Sequence, residues 1–126
     1  MGVTVTRSSE AAWSSPRLPQ GLTDDQLGRA GQVRRQGLSD GAGGFFASRV
    51  VMPGGLVTDP HHHDHSELIV IVAGSMQFDA GDGPVTLTEH DSAVIDAGQT
   101  YGFVVGDDGV EFLLIRTALA TSQLTT

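Results

Sequence analysis

The stretch DPHHHDHSELIV, Asp59 to Val70, decides the fold. It contains four of the chain's five histidines, all within positions 61–65, and Glu67 follows two residues after the last of them. The run lies mid-chain between two apolar stretches and is interrupted by an aspartate, so it is not a terminal purification tag. It is therefore either a group of metal ligands or a polar loop.

The composition excludes several kinds of chemistry. A chain of 126 residues is most simply one domain with a real core. It has no cysteine, which excludes disulfides and thiolate ligands, and no lysine, which excludes Schiff-base catalysis. The net charge of -8 argues against nucleic-acid or anionic-membrane partners. The N-terminal sequence lacks a secretory signal and no apolar run is long enough to span a membrane, so we expect a cytoplasmic protein.

Composition and hydrophobic patterning divide the chain into three parts. Residues 1–44 are rich in Ser, Gly, Arg and Pro, and we expect an irregular N-terminal arm. A short helix is predicted in TDDQLGRA with Thr23 as its capping residue, and Trp13 is expected to pack the arm onto the main body. Residues 45–117 read as about eight or nine short strands, which predicts an all-β sandwich or barrel. Residues 118–126 are predicted to form a C-terminal tail.

Turn signals separate these strands. Pro and Gly residues follow the first strand, and GDDG, residues 106–109, is predicted to be a turn between the last two. Side chains alternate across a strand, so His61 and His63 share one face while His62 points to the other. A hairpin would bring Glu67 beside the two histidines. Two imidazoles and one carboxylate are the ligand set of facial-triad iron sites.

The spacing of this stretch resembles a known family. The pattern G-x5-H-x-H-x3-E-x6-G, formed by Gly55, His61, His63, Glu67 and Gly74, matches the first motif of the cupins at every specified position. The chain is similar to small single-domain cupins of the RmlC-like or germin-like type over residues 45–117. The resemblance implies a double-stranded β-helix, or jelly-roll, barrel that forms a homodimer. It also implies one divalent transition metal per chain, held by the two histidines and the glutamate.

The second cupin motif is eroded at its chemical position. In HDSAVIDAGQTYGFVV, Tyr101 stands where the family has a third histidine, and Asp96 stands where it has a proline. Three interpretations of Tyr101 stay open: a phenolate ligand, a proton donor or substrate anchor beside the metal, or a residue that fills the barrel. His65 has the same parity as His63 and would supply a ligand if the turn allows, although a histidine in a turn is more typically exposed.

Three other residues have weaker claims to a role. His90 lies in a turn that is expected to be remote from the site. Arg49 and Arg116 fall within predicted strands, where a guanidinium could bind an anionic substrate. Solvation at the sheet surface is the preferred interpretation for both arginines.

Two kinds of function fit these residues, and both take a small molecule as substrate or ligand. The first is a metalloenzyme in which His61, His63, Glu67 and Tyr101 hold iron, the favoured metal, or zinc, nickel or manganese. The ligand set favours an oxygenase; the alternative is a Lewis-acid isomerase, cyclase or lyase with Tyr101 as proton donor and Glu67 as base. The second is a non-catalytic binding barrel.

Overall fold

A computed structural model describes residues 2–15, 24–118 and 123–124. Its secondary structure is almost entirely β. The strands are β1 (Trp13–Ser14), β2 (Arg34–Asp40), β3 (Phe46–Met52), β4 (His61–His62), β5 (Glu67–Asp79), β6 (Pro84–Leu87), β7 (Ser92–Ile95), β8 (Gly102–Arg116) and β9 (Gln123–Leu124), with one α-helix, α1 (Asp24–Ala30), and a 3-10 turn at Ala42–Gly44. Within the described ranges, no helix is long and apolar enough to cross a membrane.

The strands pair antiparallel throughout and form the predicted jelly-roll barrel. The main sheet has the order β1-β2-β3-β8-β5-β6, with β7 added to the first half of β5. A second, two-stranded sheet consists of β4 and β9. The all-β prediction is therefore confirmed.

The two longest strands bend instead of ending where glycines occur. Met76 pairs with Val105 and Gly74 pairs with Val110, so residues 106–109 stand opposite Ser75 alone as a bulge in β8. The prediction of a turn at GDDG was wrong, since these residues lie inside one continuous strand. Gly74 has a φ of 77°, and a Cβ there would lie 2.1 Å from the carbonyl oxygen of Gly109. The glycine is needed for close backbone approach at the bend.

The register of four strands places side chains in rows across the inner face. Directly paired residues of neighbouring strands share a face. Two of the inner rows are Arg35–Val50–Phe112–Ile71 and Gly37–Ser48–Leu114–Ile69, and a third joins Phe46, Arg116 and Glu67. Val50 and Ile71 are fully buried. The inner face is thus apolar in the middle of the barrel and becomes polar towards the end that carries Glu67.

The N-terminal arm is more regular than the sequence suggested. Residues 34–40 form a full strand paired with β3, so the expectation of an irregular arm was wrong there. Trp13 is 44% exposed and does not anchor the arm by burial. Instead, β1 pairs with β2, and the buried Gln36 donates its amide to the carbonyls of Ser8 and Ala11. The predicted helix is present from Asp24; its predicted capping residue, Thr23, lies outside the described residues.

Candidate metal centre

The candidate site is built where β4 crosses the start of β8. The backbone N–H of His61 donates to the carbonyl of Tyr101 at 2.9 Å, and the N–H of Tyr101 donates back to His61 at 2.9 Å. This pair of hydrogen bonds makes the two residues direct cross-strand neighbours, and their rings lie with centroids 4.5 Å apart. The position at which Tyr101 replaces the expected histidine therefore does face the histidine stretch.

Three polar atoms converge at the centre of the site. The Tyr101 hydroxyl donates to Oε1 of Glu67 at 2.8 Å and lies 3.1 Å from Nε2 of His63. Nε2 of His63 lies 3.2 Å from the same Glu67 oxygen. Glu67 is 3% exposed and Tyr101 is 4% exposed, so this triangle is shielded from solvent. A histidine, a carboxylate and a phenol thus meet inside the barrel.

His65 completes the group of donors. Its ring stacks on that of His63 with centroids 5.0 Å apart, and it is only 4% exposed. The expectation of an exposed turn histidine was wrong, because the alternation of residues 61, 63, 65 and 67 continues through the bend and turns His65 inward. Ligand atoms of His63, His65 and Glu67 all lie within 4.8 Å of one another.

His61 lies beside this group but not in it. Its ring meets that of His63 edge-on, with centroids 5.0 Å apart. Its Nδ1 hydrogen-bonds the carbonyl oxygen of Asp59 at 2.8 Å, which assigns the proton to Nδ1 and leaves Nε2 with a lone pair. Burial lowers the pKa of His61, and the Asp59 carbonyl partly opposes that shift. Of the two histidines that the cupin motif assigns to the metal, the structure brings His63 into the donor group and places His61 at its side.

The donor set fits a divalent transition metal. Two imidazole nitrogens and one carboxylate, without a thiolate, suit iron, zinc, nickel or manganese. The 3.2 Å between His63 and Glu67 is the separation expected of two atoms that share one ion at about 2.1 Å each. Burial of His65 and Glu67 supplies the dry surroundings in which an ion would bind strongly.

Tyr101 is held as a neutral phenol. Burial, then the negative charge of Glu67 and the hydrogen bond to it, raise the pKa of Tyr101 well above its ordinary value. Its ring stacks on Phe78 with centroids 5.0 Å apart, which fixes its orientation. Tyr101 also lines a groove of about 560 Å³ that includes Thr58, Gln77 and Phe103 but none of the candidate ligands. This groove lies next to Tyr101 and is large enough for a small molecule.

The remaining polar residues separate into two groups. His90 is exposed in a turn with a φ of 74°, as expected of a residue remote from the site. Arg49 points away from the barrel interior and pairs with Glu111 at 2.7 Å near the surface, as expected. Arg116 does not point to the surface. It lies in the inner row with Glu67, and its Nε and Nη1 atoms are buried. The preference for surface solvation of Arg116 was wrong.

Comparison with known families agrees with this geometry. The model of the cupin domain matches residues 48–116, more than half of the chain. The chain belongs to the cupin family. No curated protein is similar to it in sequence.

Solved structures with the same fold are distant in sequence from this cupin. The polyketide cyclase RemF from Streptomyces resistomycificus has a TM-score of 0.76 at 18% identity, with 98% of this chain and 86% of RemF covered. Rru_A2000 from Rhodospirillum rubrum, a cupin-2 domain, also has a TM-score of 0.76 at 18% identity, with 98% and 80% covered. The DMSP lyase DddQ from Ruegeria pomeroyi has a TM-score of 0.72 at 23% identity, with 93% and 62% covered. At these identities the likeness establishes the fold.

Proposed function

We propose that this cupin is a metal-dependent enzyme that catalyses proton transfer on a small organic substrate, as an isomerase, cyclase or lyase does. The observation that carries the proposal is the hydrogen bond of 2.8 Å from the Tyr101 hydroxyl to the buried Glu67 carboxylate. It places beside the candidate ligands a protonated phenol, which can donate its proton where negative charge develops on the substrate.

The residues that would hold the metal are His63, His65 and Glu67. His61, whose Nε2 carries a lone pair next to them, is the further nitrogen donor at the site. The metal would supply Lewis acidity, polarising a carbonyl or carboxyl oxygen of the substrate. The one-metal stoichiometry follows from a single group of donors in the described part of the chain.

Tyr101 would act as the proton donor. Its hydroxyl has two polar neighbours, Glu67 and His63, which keep the O–H within reach of the centre. The stack on Phe78 prevents the ring from swinging away, so the phenol meets the substrate in one orientation. Glu67 would take the proton that the substrate loses and pass it along the same hydrogen bond to the Tyr101 phenolate, which restores both groups for the next turnover.

The comparisons support proton-transfer chemistry to a limited extent. RemF is named a polyketide cyclase and DddQ a DMSP lyase, so the same fold accommodates both reaction classes. The oxygenase favoured by the ligand set stays a prediction. Tyr101 is the reason to prefer the other chemistry, since a protonated phenol beside the candidate ligands is a direct proton source for isomerisation, cyclisation or elimination.

Deuterium exchange into pyruvate tests the proposal. Metal-loaded protein in deuterium oxide is expected to catalyse exchange of the pyruvate methyl protons, followed by proton NMR, without consuming oxygen. Tyr101→Phe is expected to slow the exchange by about 100-fold or more, the usual contribution of a general acid. Trp13→Phe, which alters an exposed aromatic on the arm, is the control. Oxygen uptake by the iron-loaded protein without any exchange would favour the oxygenase instead.

A further inference from the structure

A second polar group lies on the inner face, on the strands next to the candidate metal centre. Arg35, Ser48 and Arg116 line a cavity of about 440 Å³ that is closed on one side by Thr6 and Ser14 of the N-terminal arm. We call these three side chains the arginine pocket. Sequence reasoning missed Arg35 because it falls within the arm, where no strand was expected; only the pairing of β2 with β3 turns it towards the barrel.

Four buried polar atoms of the arginine pocket have no hydrogen-bond partner among the described residues. Ser48 is 3% exposed, and its Oγ is buried without a hydrogen bond. The Nε atom of Arg35 and the Nε and Nη1 atoms of Arg116 are also buried without a hydrogen bond. A buried donor left unsatisfied is destabilising, and more so when it is charged. Three such residues around one cavity indicate a ligand that accepts their hydrogen bonds.

The two guanidinium groups also form no direct ion pair with the described residues. Burial is the main cause that lowers the pKa of Arg35, followed by the charge of Arg116, while Glu67 raises it. Asp40 lines the rim of the cavity, but the described residues form no ion pair with either arginine. The stretches outside the description, 1, 16–23, 119–122 and 125–126, contain no Asp or Glu. Glu67 therefore offsets part of this positive charge from a distance, and neither guanidinium has a carboxylate in direct contact among the described residues.

Gly37 keeps the cavity open. It pairs with Ser48 in the inner row, next to the row that contains Arg35. A Cβ built at Gly37 meets no atom within 4 Å, so the position has room for a side chain that the sequence does not supply. Gly37 lines the cavity and is exposed, so the space beside it is open to a ligand from solvent.

We propose that Arg35 and Arg116, with the Ser48 hydroxyl, bind the carboxylate of the substrate. The guanidinium fork matches the two oxygens of a carboxylate, and the serine hydroxyl adds a third donor. A dianionic phosphate is disfavoured by Glu67 and Asp40 nearby and by the net charge of -8. The inference rests on the proposed function and names its substrate class, a small carboxylic acid.

The position of Arg116 connects the arginine pocket to the chemistry. Arg116 is the direct cross-strand neighbour of Glu67, which is itself hydrogen-bonded to Tyr101. A carboxylate held by Arg116 would lie one strand away from Glu67, and the rest of the substrate would extend along this row towards the candidate ligands. The arginine pocket sets the orientation, and the metal centre acts on the part of the molecule that extends from it.

Calorimetric binding of benzoate to the full-length protein tests the inference, with benzamide as the uncharged isostere. Benzoate is expected to bind at least 10-fold more tightly than benzamide. Arg35→Gln and Arg116→Gln should each weaken benzoate binding at least 10-fold, and Arg35→Lys should also weaken it because the fork is lost. Gly37→Leu, which fills the cavity without removing a charge, should abolish binding. Arg49→Gln, on the opposite face, is the matched control and should bind benzoate normally.

The outcomes separate this inference from the proposed function. Binding of benzoate that survives removal of metal by a chelator supports the arginine pocket, even if pyruvate exchange is never observed. Binding that requires metal, equal affinity for benzamide, or tighter binding of inorganic phosphate than of benzoate would each overturn it. If Arg116→Gln does not fold, Arg35→Lys and Gly37→Leu decide the question; normal benzoate affinity in both of them would overturn the inference.

Discussion

Alkaline pH probes the hydrogen bond between Tyr101 and Glu67 directly. Burial and the charge of Glu67 raise the pKa of Tyr101 above the ordinary 10.0. Tyr101 is the chain's single tyrosine, and lysine and cysteine are absent. Between about pH 9 and 12, the release of protons on unfolding is therefore dominated by this one side chain.

The sign of the effect follows from proton linkage. Below about pH 10 the phenol is protonated in both the folded and the unfolded chain, so the stabilising contribution is fully present. Above that pH the unfolded chain releases a proton that the folded protein retains. The free energy of unfolding should then fall as the pH rises, by up to about 1.4 kcal/mol per pH unit.

Urea unfolding and the ultraviolet absorbance of tyrosinate measure this together. Tyrosinate should appear only as the protein unfolds, and Tyr101→Phe should lose the alkaline fall in stability. At neutral pH the same variant should be less stable by about 1.5–3 kcal/mol, the contribution of a hydrogen bond to a charged group. Ionisation of Tyr101 near pH 10 in folded protein would refute the reasoning, and tyrosinate in the metal-loaded protein at neutral pH would make Tyr101 a ligand.

Three further predictions concern the stability of the core, the loss of stability at acid pH and the oligomeric state. Ile71→Ala, at a fully buried position, should lower the free energy of unfolding by about 2–5 kcal/mol in urea titrations, whereas Val94→Ala, 71% exposed, should change it by less than about 0.5 kcal/mol. Because the folded protein disfavours protonated His61, the free energy of unfolding of the metal-free protein should fall as the pH drops below about 6.5. Urea midpoints measured against pH should show a smaller fall for His61→Asn. The chain is expected to be a homodimer that covers exposed apolar side chains such as Val85; a monomeric mass by light scattering would contradict this.

The barrel and its family were predictable because both depend on short-range patterns. Strand alternation and turn residues indicate an all-β fold, and the spacing from Gly55 to Gly74 carries the cupin motif within one stretch of chain. These patterns can be recognised in the sequence without knowing which strands pair. The convergence of His63, Glu67 and Tyr101 followed from the two motifs taken together.

The parts that failed depend on long-range pairing. Residues 106–109 look like a turn, and only their position opposite Ser75 in β5 makes them a bulge. Arg35 lies in a stretch without hydrophobic periodicity. Its neighbour Gln36 is a polar residue at a buried position, held there by hydrogen bonds to the arm, so the sequence shows no apolar alternation. His65 had the correct parity, but whether the bend at residues 64–65 preserved that parity was a tertiary question.

The metal content of single-histidine variants tests the central claim most directly. Elemental analysis of tag-free protein is expected to find about one transition metal ion per chain, little in His63→Ala or His65→Ala, and the full amount in His62→Ala, which has the opposite parity. His61→Ala should retain more metal than His65→Ala, because its ring lies beside the donor group. Full metal content in His65→Ala together with its loss in His61→Ala would contradict the site described here and restore the ligand set of the cupin motif.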